Sequence, residues 1–158
     1  MITPSFPYLP YLTWLCYVYY CQDQQTRSVK LTLPFEQGNA VMGAAGGPAM
    51  AKLVKQALSQ CPKTKVLLGG YSQGAMVVHN AANSLSADQI TAAVLFGDPL
   101  KAQSVGQVAG DKVKEFCHLG DPVCLNGVNG MAHITYGTDA AAAGKFLIEA
   151  AGGSSTSS

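Results

Sequence analysis

From about residue 48 onward the apolar positions switch repeatedly between helical and strand spacing. Met50, Leu53, Val54, Ala57 and Leu58 recur three and four residues apart, with Lys52 and Lys55 on the other face. That spacing predicts an amphipathic helix from Pro48 to about Gln60, with Pro48 suited to its first turn and Cys61-Pro62 ending it. Lys65 to Leu68 reads as a central strand, broken by Gly69 and Gly70. Tyr71-Ser72-Gln73-Gly74 then opens a helix running to about Asn83, carrying Met76 and Val77 at apolar positions. Ile90 to Phe96 is a continuous apolar run, a buried strand ending at Gly97-Asp98-Pro99, and Lys112 to Cys117 reads as a further strand. A last helix is expected over Ala140 to Ala151, with Phe146, Leu147 and Ile148 as its apolar patch. Such alternation of strand and helix implies βαβ units. The expected fold is α/β, a three-layer α/β/α sandwich around a parallel sheet, with neither internal repeats nor a second domain.

The stretch before about Phe35 does not follow this pattern. Tyr11 to Cys21 is aromatic-rich and about as long as the apolar core of a secretory signal. However, no Lys or Arg precedes it, Pro7 and Pro10 interrupt its approach, and no small-residue cleavage site follows. A signal peptide is therefore not clearly present, and the run is too short to span a bilayer. A hydrophobic strand or an unstructured arm is the alternative. Val29, Leu31 and Leu33 alternate with Lys30 and Thr32, a strand signal ended by Pro34, and Gly38 to Gly47 reads as a loop. Residues 1–34 are accordingly expected to be an atypical segment, 35–151 the domain, and 152–158 a flexible tail.

Composition narrows the class. The chain's 158 residues suffice for one modest domain, and 48% hydrophobic against 12% charged residues mark it as globular. A net charge of +1 gives no electrostatic case for nucleic acid or an anionic membrane as partner. The five cysteines, Cys16, Cys21, Cys61, Cys117 and Cys124, show no metal-ligand spacing with histidine, so neither metal nor cofactor is expected. Their odd number leaves at least one thiol unpaired, while the close Cys117/Cys124 pair fits an oxidising compartment.

The chemistry concentrates at Gly70-Tyr71-Ser72-Gln73-Gly74, a G-x-S-x-G match between a strand and a helix. A serine on so sharp a turn holds a strained backbone, and small neighbours relieve the crowding. The turn presents the hydroxyl, and the amide of Gln73 can point at a developing oxyanion. A serine nucleophile needs a base, and the base an orienting carboxylate. Of the three histidines, His79 lies two turns further along the serine's own helix, which makes it a surface or packing residue. His118 abuts Cys117 at a strand end. His133 sits in a late loop free to fold over the carboxyl edge of the sheet. Asp121 lies in Cys117-His118-Leu119-Gly120-Asp121-Pro122-Val123-Cys124, where a disulfide would close a short ring around it. Ser72, Asp121, His133 is the chain order of α/β-hydrolases. Asp98 is the rival acid, placed behind Asp121 because Pro99 marks it as an ordinary strand-end turn.

Four segments together resemble fungal cutinases: Gly69 to Gly74, Leu95-Phe96-Gly97-Asp98-Pro99, the Cys117–Cys124 loop, and His133-Ile134-Thr135-Tyr136-Gly137. The resemblance spans about Phe35 to Ala151. It implies a small, lidless, secreted α/β-hydrolase, monomeric, that cleaves carboxylic esters such as the cutin polyester, or acetylated xylan in a near relative. Ser72 would be nucleophile, His133 base, Asp121 the orienting acid, Gln73 an oxyanion donor, and Cys117–Cys124 the family's short disulfide. Leu125, Val128 and Met131 could line an acyl groove. The family's first strand, with a loop whose Ser or Thr completes the oxyanion hole and a cysteine that pairs with the one at Cys61, has no match here. Thr26-Arg27-Ser28 is a poor substitute. A truncated, non-catalytic relic is the alternative reading.

Overall fold

The computed structural model describes residues 46–153 in full, together with the backbone course of two strands before them, Trp14–Gln22 and Gln25–Leu33. The expected loop up to residue 45 and the end of the expected tail lie outside the described residues. The elements follow in the order β1 (Trp14–Gln22), β2 (Gln25–Leu33), α1 (Gly46–Gln60), β3 (Leu67–Tyr71), α2 (Gln73–Ala82), β4 (Ala92–Phe96), β5 (Val113–Phe116) and α3 (Ala140–Ala150).

The sheet has the spatial order β2-β1-β3-β4-β5. β3, β4 and β5 run parallel, with Leu67 opposite Ala92 and Ala93 opposite Val113. β1 and β2 form an antiparallel hairpin, Gln22 facing Gln25, and β1 lies antiparallel to β3 with Cys16 opposite Gly70. The parallel part is thus three strands wide. The aromatic-rich N-terminal run forms a strand, β1, and the Val29–Leu33 alternation lies in another, β2.

Alternation along the parallel strands divides the core into two layers. Leu68, Ala93 and Leu95 face a cluster built with Met50 and Val54 of α1 and Ala75, Val77 and Val78 of α2. Ala92, Val94 and Phe96 face the other side, against Ala143 and Leu147 of α3 and the ring of Tyr136. Helices therefore cover both faces of the parallel strands, the three-layer arrangement expected. The apolar stripe of α1 is core, with Met50, Val54 and Ala57 buried.

One boundary departs from expectation for a packing reason. Gly69 and Gly70 do not break β3 but continue it to Tyr71. A Cβ on Gly70 would stand 2.6 Å from the carbonyl oxygen of Gly74 and 2.7 Å from the amide nitrogen of Ala75, so the glycine lets the head of α2 press against the strand that leads into it. Further along, two short 3-10 turns, Gly130–Ile134 and Tyr136–Asp139, lie between β5 and α3.

Leu95 is fully buried between the sheet and the α1/α2 layer, whereas Leu119 is 86% exposed. Leu95→Ala should lower unfolding free energy by about 3 kcal/mol. Leu119→Ala should stay within about 0.5 kcal/mol of the parent, both read from urea-denaturation midpoints at unchanged slope.

Candidate active site

Every candidate residue hangs from the carboxyl end of a parallel strand, where open α/β sheets place their sites. Ser72 follows β3 directly, with φ 56° and ψ −119°. That is a conformation non-glycine residues rarely hold, at an expense of about 1–3 kcal/mol. Its amide donates to Phe96 O at 2.8 Å, and the amide of Gly97 donates to Phe116 O at 2.9 Å, so the turns after β3, β4 and β5 are tied in sequence. The next residue, Gln73, heads α2, and its amide belongs to the first-turn donors that a helix leaves without an intrahelical acceptor.

Asp121 and His133 reach this point from the segment after β5. The Cys117–Cys124 disulfide is formed, Cα to Cα 5.9 Å. Inside its ring the amide of Asp121 donates to His118 O at 3.0 Å, and from two residues beyond the ring the amide of Asn126 donates to Asp121 O at 2.8 Å. Closing so short a loop contributes about 2–3 kcal/mol in the chain-entropy view, and here it also fixes the aspartate. His133 lies in the 3-10 turn Gly130–Ile134, and its carbonyl accepts the Tyr71 hydroxyl at 2.7 Å. The Tyr71 ring stacks on the imidazole, centroids 5.0 Å apart.

The three side chains meet. His133 Nε2 lies 2.8 Å from Ser72 Oγ, and His133 Nδ1 lies 2.8 Å from Asp121 Oδ2. Asp121 Oδ1 accepts the Val123 amide at 2.8 Å, and Oδ2 also accepts the Tyr136 hydroxyl at 2.5 Å. Burial pushes the Asp121 carboxyl up, but hydrogen bonds from Tyr136, His133 and Val123 more than reverse this and leave it below the usual aspartate range. The carboxylate is therefore ionised across neutral pH. An acceptor on Nδ1 sets the tautomer in which Nε2 is free to take the serine proton. Burial, with the Asp121 charge, raises the Tyr71 phenol to about 12, so it remains a donor.

Gly97 forms the floor of the pair. At φ 54° a Cβ there would stand 2.7 Å from His133 Cε1, 2.8 Å from Nδ1 and 3.0 Å from Asp121 Oδ2. Both its conformation and the space above it demand glycine.

The other candidates fall as follows. Leu125 and Val128 stand on the surface of the loop between Asp121 and His133, 84% and 99% exposed, and Leu125 holds a positive φ of 59°. Asp98 does not approach His133. It is fully buried, its Oδ2 2.8 Å from Nε2 of His79, which is also buried. The expectation of an ordinary turn for Asp98 thus fails, and His79 is a packing residue rather than a surface one. Tyr71, Gly97 and Tyr136 lie in the segments that carry the resemblance, but their roles here, like the pairing of His79 with Asp98, escaped the sequence reading, since nothing in their spacing names a partner.

Among the described residues, the one grouping with metal-ligand geometry is His79, Asp98 and Glu115, whose candidate atoms all lie within 4.8 Å of one another. His79 and Asp98 already bond each other, and Glu115 Oε2 is buried without a partner. Burial, then the charge of Asp98 and a hydrogen bond with it, pushes Glu115 up to about 8, and Lys101 only partly offsets this. Cys61 is a free thiol.

Comparison with known proteins agrees with this geometry. The family model described as Cutinase matches residues 21–151. Cutinase 4 of Emericella nidulans is 61% identical over 115 residues, covering 73% of this chain and 51% of that protein. A cutinase of Monilinia fructicola is 48% identical over 111 residues, covering 68% and 55%. The chain thus spans about half the length of these relatives. Among solved structures, Trichoderma reesei cutinase in complex with a phosphonate inhibitor aligns at TM-score 0.65 and 41% identity, covering 74% of this chain and 53% of that one. An acetylxylan esterase aligns at TM-score 0.58 and 29% identity, covering 68% and 70%.

Because the folded Glu115 carboxyl is raised from 4.5 to about 8, ionising it works against the native state. Stability present below pH 4.5 should drain away as pH rises towards about 8. Thermal melts should therefore show Glu115→Gln gaining on the parent across that window, with the gap levelling off above it.

Proposed function

The chain belongs to the cutinase family, and from that premise we propose that it hydrolyses carboxylic esters through Ser72, His133 and Asp121. The unbroken run of hydrogen bonds from Ser72 Oγ through the imidazole to Asp121 carries the reading. As Ser72 Oγ attacks an ester carbonyl, its proton passes to His133 Nε2, and the ionised Asp121 stabilises the resulting imidazolium through Nδ1–H. The carbonyl oxygen, now an anion, faces the head of α2, where the Gln73 amide is the donor nearest in sequence to the nucleophile. The imidazolium then returns its proton to the leaving alcohol. Water, activated by the same base, releases the acid from the acyl-serine.

Apolar surface supports a lipid-like acyl ester, such as the cutin polyester, as substrate. Among the described residues the exposed large hydrophobics, Leu119, Leu125, Val128, Met131 and Ile134, all lie on the one segment that carries Asp121 and His133. Among the described residues this is where exposed large apolar side chains concentrate, which supports reading the segment as a recognition surface. Leu125, held outward at positive φ, and Val128 are proposed to line the acyl path. The structural likeness to an acetylxylan esterase supports a second reading, a short acetyl group as the acyl part. The disulfide fits action outside the cell, where such bonds persist.

The test is hydrolysis of p-nitrophenyl butyrate by the chain beside Ser72→Ala. The parent should turn over, and the variant should lose at least about 10³-fold in kcat. Equal rates from the two folded proteins would refute the assignment. Leu125→Asp and Val128→Asp should raise KM for p-nitrophenyl octanoate several-fold more than for the acetate. Equal effects on both esters would favour the acetyl reading.

A further inference from the structure

We propose that Tyr136 is a positioning residue of this site: its hydroxyl divides Asp121 Oδ2 with the His133 imidazole and so sets how tightly the carboxylate holds an imidazolium. The proposal rests on the esterase reading for its consequence in catalysis, though not for its geometry. Tyr136 is buried at the start of the second 3-10 turn, its ring edge-on to Phe96 and Tyr71 at 6.1 Å from each and stacked on His118 at 4.3 Å. The phenol is therefore locked on several sides. Its oxygen accepts the His118 amide at 3.1 Å, and its single proton goes to Asp121 Oδ2 at 2.5 Å. Cys124 Sγ touches the same oxygen at 3.5 Å, but as a disulfide sulfur it has no proton to give.

Two donors thus converge on one carboxylate oxygen, with the tyrosine bond the shorter. The bond from Val123 N–H to Oδ1 fixes the carboxylate plane from the far side. The titratable neighbours of the pair are few and placed. Tyr71 of β3 stacks on His133, Ser72 Oγ lies on Nε2, and His118 sits behind the Tyr136 ring with its Nε2 2.6 Å from Asp139 Oδ2. Burial and the Asp121 carboxylate hold the Tyr136 phenol protonated well above its usual range, so it stays a donor through the working pH. A neutral donor on Oδ2 withdraws charge from the oxygen that faces the imidazole. The imidazolium is then held firmly enough to orient it, yet loosely enough to give its proton up again.

The sign of the effect follows. Tyr136→Phe keeps the ring and removes the competing donor, which concentrates charge on Oδ2 and favours the imidazolium. Followed by NMR at the His133 ring, the protonation midpoint of the intact chain should rise by about one pH unit. The acid limb of kcat/KM for p-nitrophenyl butyrate should move up with it, kcat should fall about tenfold, and KM should stay within about twofold. A fluorinated tyrosine at position 136, a stronger donor of nearly the same shape, should move the midpoint the other way, and it decides the matter if the phenylalanine variant does not fold. An unchanged midpoint in folded Tyr136→Phe, or a shift in the same direction in both variants, would overturn the proposal. A midpoint that moves as expected in a chain without Ser72-dependent hydrolysis would uphold the positioning role and sink the esterase reading instead.

Discussion

The amide of Ser72 is bonded to the carbonyl of Phe96, and the amide of Gly97 to that of Phe116. These two bonds carry the ladder of the parallel strands one step past its end, so three loops leave the sheet from a common, rigid edge. The first of these bonds helps to hold the strained serine at φ 56°. The absent Cβ at Gly97 then leaves the volume in which the imidazole and carboxylate rest. The site is in this sense an extension of sheet geometry, and the side chains are set by where the backbone is forced to go.

What the sheet begins, the segment after β5 completes. A disulfide closes the turn around Asp121, and the stacked Tyr71 and His133 rings attach the far loop to β3. Buried polar groups survive here because each is answered: Asp121 by three donors, Ser72 by His133. On the other side of Asp98 the rule is kept less fully. His79 and Asp98 answer each other, while Glu115 keeps an orphan oxygen and is driven towards its neutral form. Through His79 and Asp98 that cluster ties the loop after β4 to α2.

Much of this was legible in the sequence because the signals were local. Apolar spacing located α1, α2 and α3, and an unbroken apolar run located β4, each within a residue or two. The serine turn was legible because strand, glycine, serine and helix lie in one short stretch. What escaped depends on contacts between distant segments. Gly70 reads as a breaker until α2 is seen pressing on it. Asp98 reads as a turn residue until His79, 19 positions earlier, is folded against it. Likewise the tyrosine hydroxyls that finish the site look like ordinary aromatic positions, because a phenol's partner cannot be inferred from its own neighbours. The hairpin beside β3 was foreshadowed only by alternation in Val29 to Leu33 and by aromatic content in β1, neither of which names a pairing partner.

The central proposal is that the fold makes Ser72 an activated nucleophile. Reaction with a p-nitrophenyl alkylphosphonate, followed by intact-mass spectrometry and peptide mapping, tests it directly, since the phosphorus captures an activated serine without needing turnover. The account predicts one adduct per chain, on Ser72, and none in a His133→Ala chain. A folded chain that takes up no phosphonate, or carries it on another side chain, would contradict the account.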